Sequence, residues 1–183
     1  MLEDLFGNKI NKNMKILCKI FNKNCIPYSH KAGEWIDLKA AETVQLDAPY
    51  AHTLNGKREK REVVFSDYKI PLGIGMKLPE GFEAWIEPRS GTFNNYGIIL
   101  ANQKGIIDSS YSGPNDQWAF QAIAFRDTTI NEGERICQFR IALSQKANIW
   151  QRLKWLFTNK IEFEFVDDYE GEDRGGFGST GVN

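Results

Sequence analysis

Apolar and polar residues alternate along much of this chain, and the alternation predicts strands. Ile16, Cys18 and Ile20 share one face of the stretch 15–20, as a half-buried strand requires. From 69 to 78, Ile70, Leu72, Ile74, Met76 and Leu78 alternate with Lys69, Pro71, Gly73, Gly75 and Lys77, which makes this the cleanest predicted strand. Pro71 has no N–H to give a ladder, so it belongs at an edge or a non-bonding position. Pro79-Glu80-Gly81 reads as a turn. Stretches 82–87, 118–125 and 135–143 follow as strands, the last two joined by 127–133. In 160–166, Ile161, Phe163 and Phe165 oppose Glu162 and Glu164.

Elsewhere the pattern changes. Residues 22–31 carry turn formers, and between 46 and 66 the organisation weakens. The mixed-charge run Gly56-Lys57-Arg58-Glu59-Lys60-Arg61-Glu62 reads as a solvated hairpin tip or flap, because its acids largely cancel its bases. From 148 to 159, Ile149, Leu153, Leu156 and Phe157 fall at helical spacing, with Trp150 and Trp155 widening the apolar surface. One short amphipathic helix is expected there, packed on its own sheet or on a sister subunit. A partner-binding role is the alternative, and so short a helix with few cations binds bilayers poorly. Residues 1–13 are polar, lack a signal-peptide core and read as a loose or weakly helical leader, with Met14 as an alternative start. Residues 167–173 are acidic and 174–181 are glycine-rich. The chain thus divides into a leader (1–13), a β domain (14–166) that carries the charged loop 56–62 and the helical insert 148–159, and a C-terminal arm or lid (167–183). Short strands, Gly/Pro turns and one short helix predict an all-β sandwich or barrel.

Composition narrows the chemistry. The 183 residues suit one domain with a core, and a formal net charge of −1 gives no bulk pull toward nucleic acid or membrane. No apolar run is long enough for a transmembrane helix. Cys18, Cys25 and Cys137 form an odd set without metal-ligand spacing, which reads as reduced thiols. With only His30 and His52, a His-rich zinc site is not expected. Catalysis must rest on carboxylates, arginines, hydroxyls and backbone groups.

Four stretches supply such groups. In 100–113, Asp108 follows Ile106-Ile107, where a carboxylate is costly to desolvate without a charged or hydrogen-bonding partner. The bland alternative is a carboxylate that caps a turn. Asp37 lies similarly between Ile36 and Leu38, and Pro88-Arg89-Ser90-Gly91 follows a predicted strand. The tail 174–181 is too glycine-rich to pack a core. Ordering it costs entropy, so it is expected to order when something binds. Its glycine N–H groups can cradle an anion, Arg174 adds a cation, Ser179 and Thr180 add hydroxyls, and Phe177 adds a flat face for a base. This describes a nucleotide lid, with a disordered tail as the competitor. Neither a Walker motif nor Gly-x-Gly-x-x-Gly is present.

Four segments then fall into one ordered set: Pro88-Arg89-Ser90-Gly91, Asn102-x-x-Gly105-x-Ile107-Asp108-x-x-Tyr111-x-Gly113, Gly133-Glu134-Arg135-Ile136-Cys137-Gln138 and Gly176-Phe177-Gly178-Ser179-Thr180-Gly181. The set resembles the homotrimeric dUTPases from about residue 15 to 181, and Asp37-Leu38 resembles the end of that family's first motif. The resemblance implies a jelly-roll-like β fold, a homotrimer with three active sites each built from several subunits and the C-terminal arm reaching across, and Mg²⁺-dependent hydrolysis of dUTP to dUMP and pyrophosphate. It implies that Asp108 orients the attacking water in line with the α-phosphorus and accepts its proton. Arg89, Ser90, Gly91 and Gln138 would hold phosphate oxygens, and Arg174 would clamp the γ end. A hairpin from Asn102 through Gly105 and Ile107 to Tyr111 would read uracil with backbone groups. Tyr111 would lie against the deoxyribose, although a core tyrosine bonded to a carbonyl is the plain alternative. Phe177, with Gly178 and Ser179 beside it, would close over the base. Mg²⁺ would be held by the substrate phosphates, with water-mediated support from Asp37.

Two spacings depart from the family. Ala32-Gly33-Glu34-Trp35-Ile36-Asp37 has two residues more than usual before the aspartate, and Arg174 lies two residues nearer to Phe177 than usual. Two rivals share the resemblance. A dCTP deaminase or bifunctional deaminase–diphosphatase needs a glutamate on the strand after the Asp108 motif, and 118–125 contains none. A dUTPase-like regulator would act through protein partners, with the helix at 148–159 as its surface. The expected compartment is the cytoplasm, or the cytoplasm or nucleus of a host for a viral chain. No direct contact with nucleic acid or membrane is expected.

Overall fold

The computed structural model describes residues 13–29, 33–53, 61–158 and 160–176. The expected leader conformation, the tip of the charged loop at 54–60, and Phe177, Gly178 and Ser179 lie outside these residues.

In chain order the strands are β1 (Asn13–Ile20), β2 (Tyr28–Ser29), β3 (Ile36–Lys39), β4 (Val44–Leu46), β5 (Tyr50–Thr53), β6 (Arg61–Val64), β7 (Asp67–Pro71) and β8 (Ile74–Lys77). They continue as β9 (Phe82–Pro88), β10 (Ile98–Leu100), β11 (Gly105–Asp108), β12 (Ala119–Ala124), β13 (Thr128–Ile130), β14 (Arg135–Leu143) and β15 (Lys160–Val166). Two α-helices are interspersed, α1 (Thr92–Tyr96) and α2 (Ile149–Phe157). A five-stranded sheet of order β11-β9-β14-β3-β2 carries Asp37, Gly105, Ile107, Asp108 and Gln138. Beside it are three-stranded sheets β15-β1-β8 and β10-β12-β7, and the pairs β13-β4 and β5-β6. The fold is all-β and jelly-roll-like, and none of these sheets closes into a barrel.

Aromatic contacts tie the layers together. Trp118, fully buried before β12, meets Phe139 of β14 edge-on at 5.3 Å, and Phe139 meets Phe163 of β15 at 5.9 Å. Leu38, Ile70, Ile74, Met76 and Phe120 fill in around them.

The predicted strand at 69–78 is two strands in different sheets. The chain turns at Leu72-Gly73, where Gly73 has φ +68° and a Cβ would come within 2.6 Å of the Cys25 Cβ. Alternation runs through the corner because Leu72 stays fully buried, so burial hides the bend. Pro71 sits on β7 at a sheet edge, as its missing N–H requires. The charged run is flanked by paired arms, Tyr50↔Val64 through Thr53↔Arg61. β13 forms inside the connection 127–133, and α1 is a second short helix that no apolar periodicity announced.

Helix α2 begins in a capping box. The Asn148 side chain accepts from the Gln151 N–H at 3.0 Å, and the Gln151 side chain accepts from the Asn148 N–H at 2.7 Å. Its inner side places Trp155 5.7 Å from Phe82, while Ile149, Trp150, Leu156 and Phe157 are exposed. Phe139→Ala removes the middle ring of the Trp118–Phe139–Phe163 series. It is expected to cost about 3–5 kcal/mol, read as a lower urea midpoint.

Candidate functional site

Strand β9 delivers the first group of predicted residues. It ends at Pro88, and Arg89, Ser90 and Gly91 form the turn into α1. Thr92 fixes that turn. Its buried hydroxyl accepts from the Arg89 N–H at 2.9 Å and donates to the Ile136 carbonyl at 2.7 Å. Ser90 is left exposed. On β14, Gln138 lies between buried Cys137 and Phe139 and faces the other way, with its Nε2 donating to the Pro88 carbonyl at 3.2 Å. The ladder aligns Glu87, Gln138, Asp37 and Tyr28 in one row across four strands.

Asp37 is paired with two arginines. Its Oδ1 accepts from Arg89 Nε at 2.9 Å, and its Oδ2 accepts from an Arg135 terminal nitrogen at 3.0 Å. Both oxygens of this buried carboxylate are thus bound by guanidinium groups. The Arg135 guanidinium also lies 5.1 Å from the centre of the Tyr28 ring. Arg89 is held in place by its neighbours, with one edge on Asp37 and a terminal nitrogen 3.4 Å from the Arg135 carbonyl. Such pre-orientation lowers the entropy cost of binding an anion. Among the described residues, no group of three or more His, Cys, Asp or Glu is placed to hold a metal ion.

Strand β11 delivers the second group. Gly105 pairs with Ile86, so close that a Cβ would come within 3.1 Å of the Ile86 Cβ. Ile107 is buried opposite Ala84, and Asp108 ends the strand opposite Glu83. The Asp108 Oδ1 accepts from the Ser110 N–H at 2.8 Å and from the Ser110 hydroxyl, and its Oδ2 accepts from an Arg174 terminal nitrogen at 2.8 Å. Partial burial pushes the Asp108 carboxyl up, but the Ser110 and Arg174 hydrogen bonds outweigh it and hold the group below its ordinary value. Asp108 is therefore ionised at neutral pH. Tyr111 is buried and donates to the Gln117 carbonyl at 2.8 Å, and arm residue Gly176 lies against its ring. Burial raises its phenol. Asn102 is exposed in the turn before β11, its carbonyl accepting from the Lys104 N–H at 2.6 Å.

β10 and β11, which flank Asn102, do not pair with each other. β10 bonds to β12 and β11 bonds to β9, so the turn at 101–104 carries the chain from one sheet to another. The cysteines are free and buried. Burial raises Cys18 to about 12 and Cys137 well above the ordinary range, so neither is a nucleophile.

The two groups share a face of the five-stranded sheet but sit at opposite ends of β9. Asp108 is in register with Glu83 and Gln138 with Glu87. Four residues of strand span roughly 13 Å, and the six from Glu83 to Arg89 roughly 20 Å. Arg135, Thr92, Ser110 and Asp116 escaped sequence reading. Each acts on a partner distant in sequence or through the backbone, and of the four only Arg135 is a fixed position of the motif set.

A family model described as dUTPase matches residues 57–181. The SPbeta prophage-derived deoxyuridine 5'-triphosphate nucleotidohydrolase YosS of Bacillus subtilis is 43% identical over 150 residues, 82% of this chain and 85% of that protein. The deoxyuridine 5'-triphosphate nucleotidohydrolase of Rickettsia prowazekii is 39% identical over 113 residues, 62% of this chain and 68% of that protein. Among solved structures, the dUTPase of Streptococcus mutans is similar with a TM-score of 0.56 at 20% identity, covering 69% of this chain and 91% of that one. The dUTPase of phage phi11 of S. aureus, described with a structural Mg(II) ion, is similar with a TM-score of 0.54 at 18% identity, covering 73% of this chain and 94% of that one. At these identities the structural likenesses speak for the fold.

Asp37→Asn removes the charge that holds two guanidiniums. Losing one partner of a buried ion pair costs about 3–5 kcal/mol, and the half-exposed arginines reduce that to about 1–2 kcal/mol. The check is a urea melt of the variant against the parent.

Proposed function

The chain belongs to the dUTPase family and is a dUTP nucleotidohydrolase, and from that premise we propose how its residues divide the work of converting dUTP to dUMP and pyrophosphate. The observation that carries the reading is the Asp108 carboxylate, ionised and fixed by Ser110 at the end of β11. From that position it orients a water in line with the α-phosphorus and takes its proton as the P–O bond forms and pyrophosphate leaves.

Arg89, already aligned by Asp37, meets the phosphate oxygens with Ser90, the Gly91 N–H and the Gln138 amide. Donors fixed before substrate arrives stabilise the charge that builds on the leaving pyrophosphate. Arg174 binds the phosphates from the arm. Because its guanidinium rests on Asp108, it must shift or be shared as the triphosphate enters. Mg²⁺ comes with the triphosphate as part of the substrate and offsets its charge. Asp37 contributes through Arg89 and Arg135, since both its oxygens are engaged. Backbone groups of Asn102, Gly105 and Ile107 read the uracil edge, Tyr111 excludes a 2′-hydroxyl, and Phe177, with Gly178 and Ser179, closes over the base.

Geometry also argues for a shared site. A triphosphate is too short to touch both ends of β9, so Asp108 of one copy needs Arg89 and Gln138 of another. A closed ring of three copies meets that need by repeating one heterologous contact. The absence of glutamate from β12 favours diphosphate release over deamination.

Pyrophosphate release with Mg²⁺ is expected from dUTP and not from dCTP, dTTP or UTP. Asp108→Asn should lower dUTP turnover by about 10³-fold or more while nucleotide binding, read by calorimetry, stays within a few fold. Loss of binding instead would make Asp108 structural. Sharing of the site is tested by mixing subunits. Asp108→Asn and Gln138→Ala copies, each inactive alone, should regain activity when unfolded and refolded together. No recovery in mixed oligomers would place each site within one chain.

A further inference from the structure

The root of the C-terminal arm is docked on its own chain, through contacts made mostly by residues outside the family motifs. Lys19 pairs with Asp168 at 3.0 Å, and the Lys77 ammonium donates to the Glu170 carbonyl at 2.6 Å. Asn115 donates from its backbone N–H and its amide to the two oxygens of Asp173, at 2.8 and 2.7 Å. Beneath them lies Asp116, only 3% exposed. Its Oδ2 accepts from the Gly113 N–H at 2.9 Å and the Arg174 N–H at 3.1 Å, and its Oδ1 accepts from the Gly175 N–H at 3.3 Å.

A buried carboxylate is costly unless donors surround it. Two of the three backbone donors here belong to the arm, so Asp116 is satisfied in its buried position only while the arm is docked. The close approach depends on bare backbone. A Cβ on Gly113 would come within 2.6 Å of the Glu172 carbonyl, and one on Gly176 within 3.0 Å of the Tyr111 ring. Arg174 is therefore held at both ends, its N–H by Asp116 and its guanidinium by Asp108.

We propose that Asp116 is a positioning residue for dUTP hydrolysis, clipping the root of the arm to its own subunit so that Arg174 is delivered beside Asp108. The proposal rests on the reading of Arg174 as a substrate-binding arginine. It accounts for the shortened spacing between Arg174 and Phe177, because here the arginine belongs to the docked root and not to the glycine-rich tip. It also makes Asp116 work through another residue without touching substrate.

The test combines proteolysis with a double-mutant cycle. Asp116→Asn keeps the shape but replaces one acceptor oxygen with a donor that faces N–H groups. Trypsin cleavage after Arg174 under native conditions, read by mass spectrometry, should speed up by about tenfold, and kcat/KM for dUTP should fall by about tenfold. In an Arg174→Ala background the same substitution should cost less than about twofold, because the residue it positions is gone. An unchanged cleavage rate, or losses that multiply independently in the double variant, would overturn the proposal. If Asp116→Asn fails to fold, Asn115→Ala, on the exposed side of the same latch, carries the same expectations. Arg174→Ala with full turnover would instead sink the role of Arg174 itself, and the proposal with it. A parent chain that releases no pyrophosphate from dUTP would indict the enzymatic reading first.

Discussion

The ladder on both sides of β9 is the constraint on which the site depends. β11 bonds to one edge and β14 to the other, in registers that leave no freedom to slide. A one-residue slip would turn Ala84 and Ile86 out of the core and bring Glu83 and Glu87 in. The same registers fix Asp108 at one end of the strand and the phosphate-facing residues at the other. Core packing and the division of the site are thus one fact seen from two faces of a sheet.

Charge on that face follows the same logic of prior placement. Arg89 and Arg135 share one buried carboxylate, and Arg174 is spanned between two. In each case an arginine is aligned before substrate arrives, and the cost of aligning it is met during folding.

Much of this was legible in the sequence. β15 stands out because strict alternation over six residues, Lys160 to Phe165, suits a half-buried strand and little else, and β9 and β14 are marked by apolar runs broken by polar residues. The motif around Asp108 and the Pro88–Gly91 turn carry the family by residue type and spacing. What escaped reading depended on partners far along the chain. The corner at Gly73 was hidden because Leu72 stays buried through it, and α1 is too short for a 3.6-residue period to register. The pairing of Asp37 with Arg89 and Arg135 was not legible because a carboxylate between two apolar residues does not announce which cations will meet it. Asp116 resembles an ordinary turn aspartate in Gly113-Pro114-Asn115-Asp116, and only the arm folding back, 58 positions later, gives it a role.

One pairing bears on how the protein comes to be folded at all. β1 lies parallel to β15, Asn13 beside Lys160 and Lys19 beside Val166, while its other edge pairs with β8. During synthesis β1 and β8 can meet early, but the second edge of β1 stays open until β15 has been made, more than eighty residues later. An unpaired edge is a template for another chain, and contacts this distant in sequence form slowly. The nascent protein thus passes through a long window in which its first strand is half-sealed. Assembly quality in the cell is therefore tied to how soon the last strand arrives.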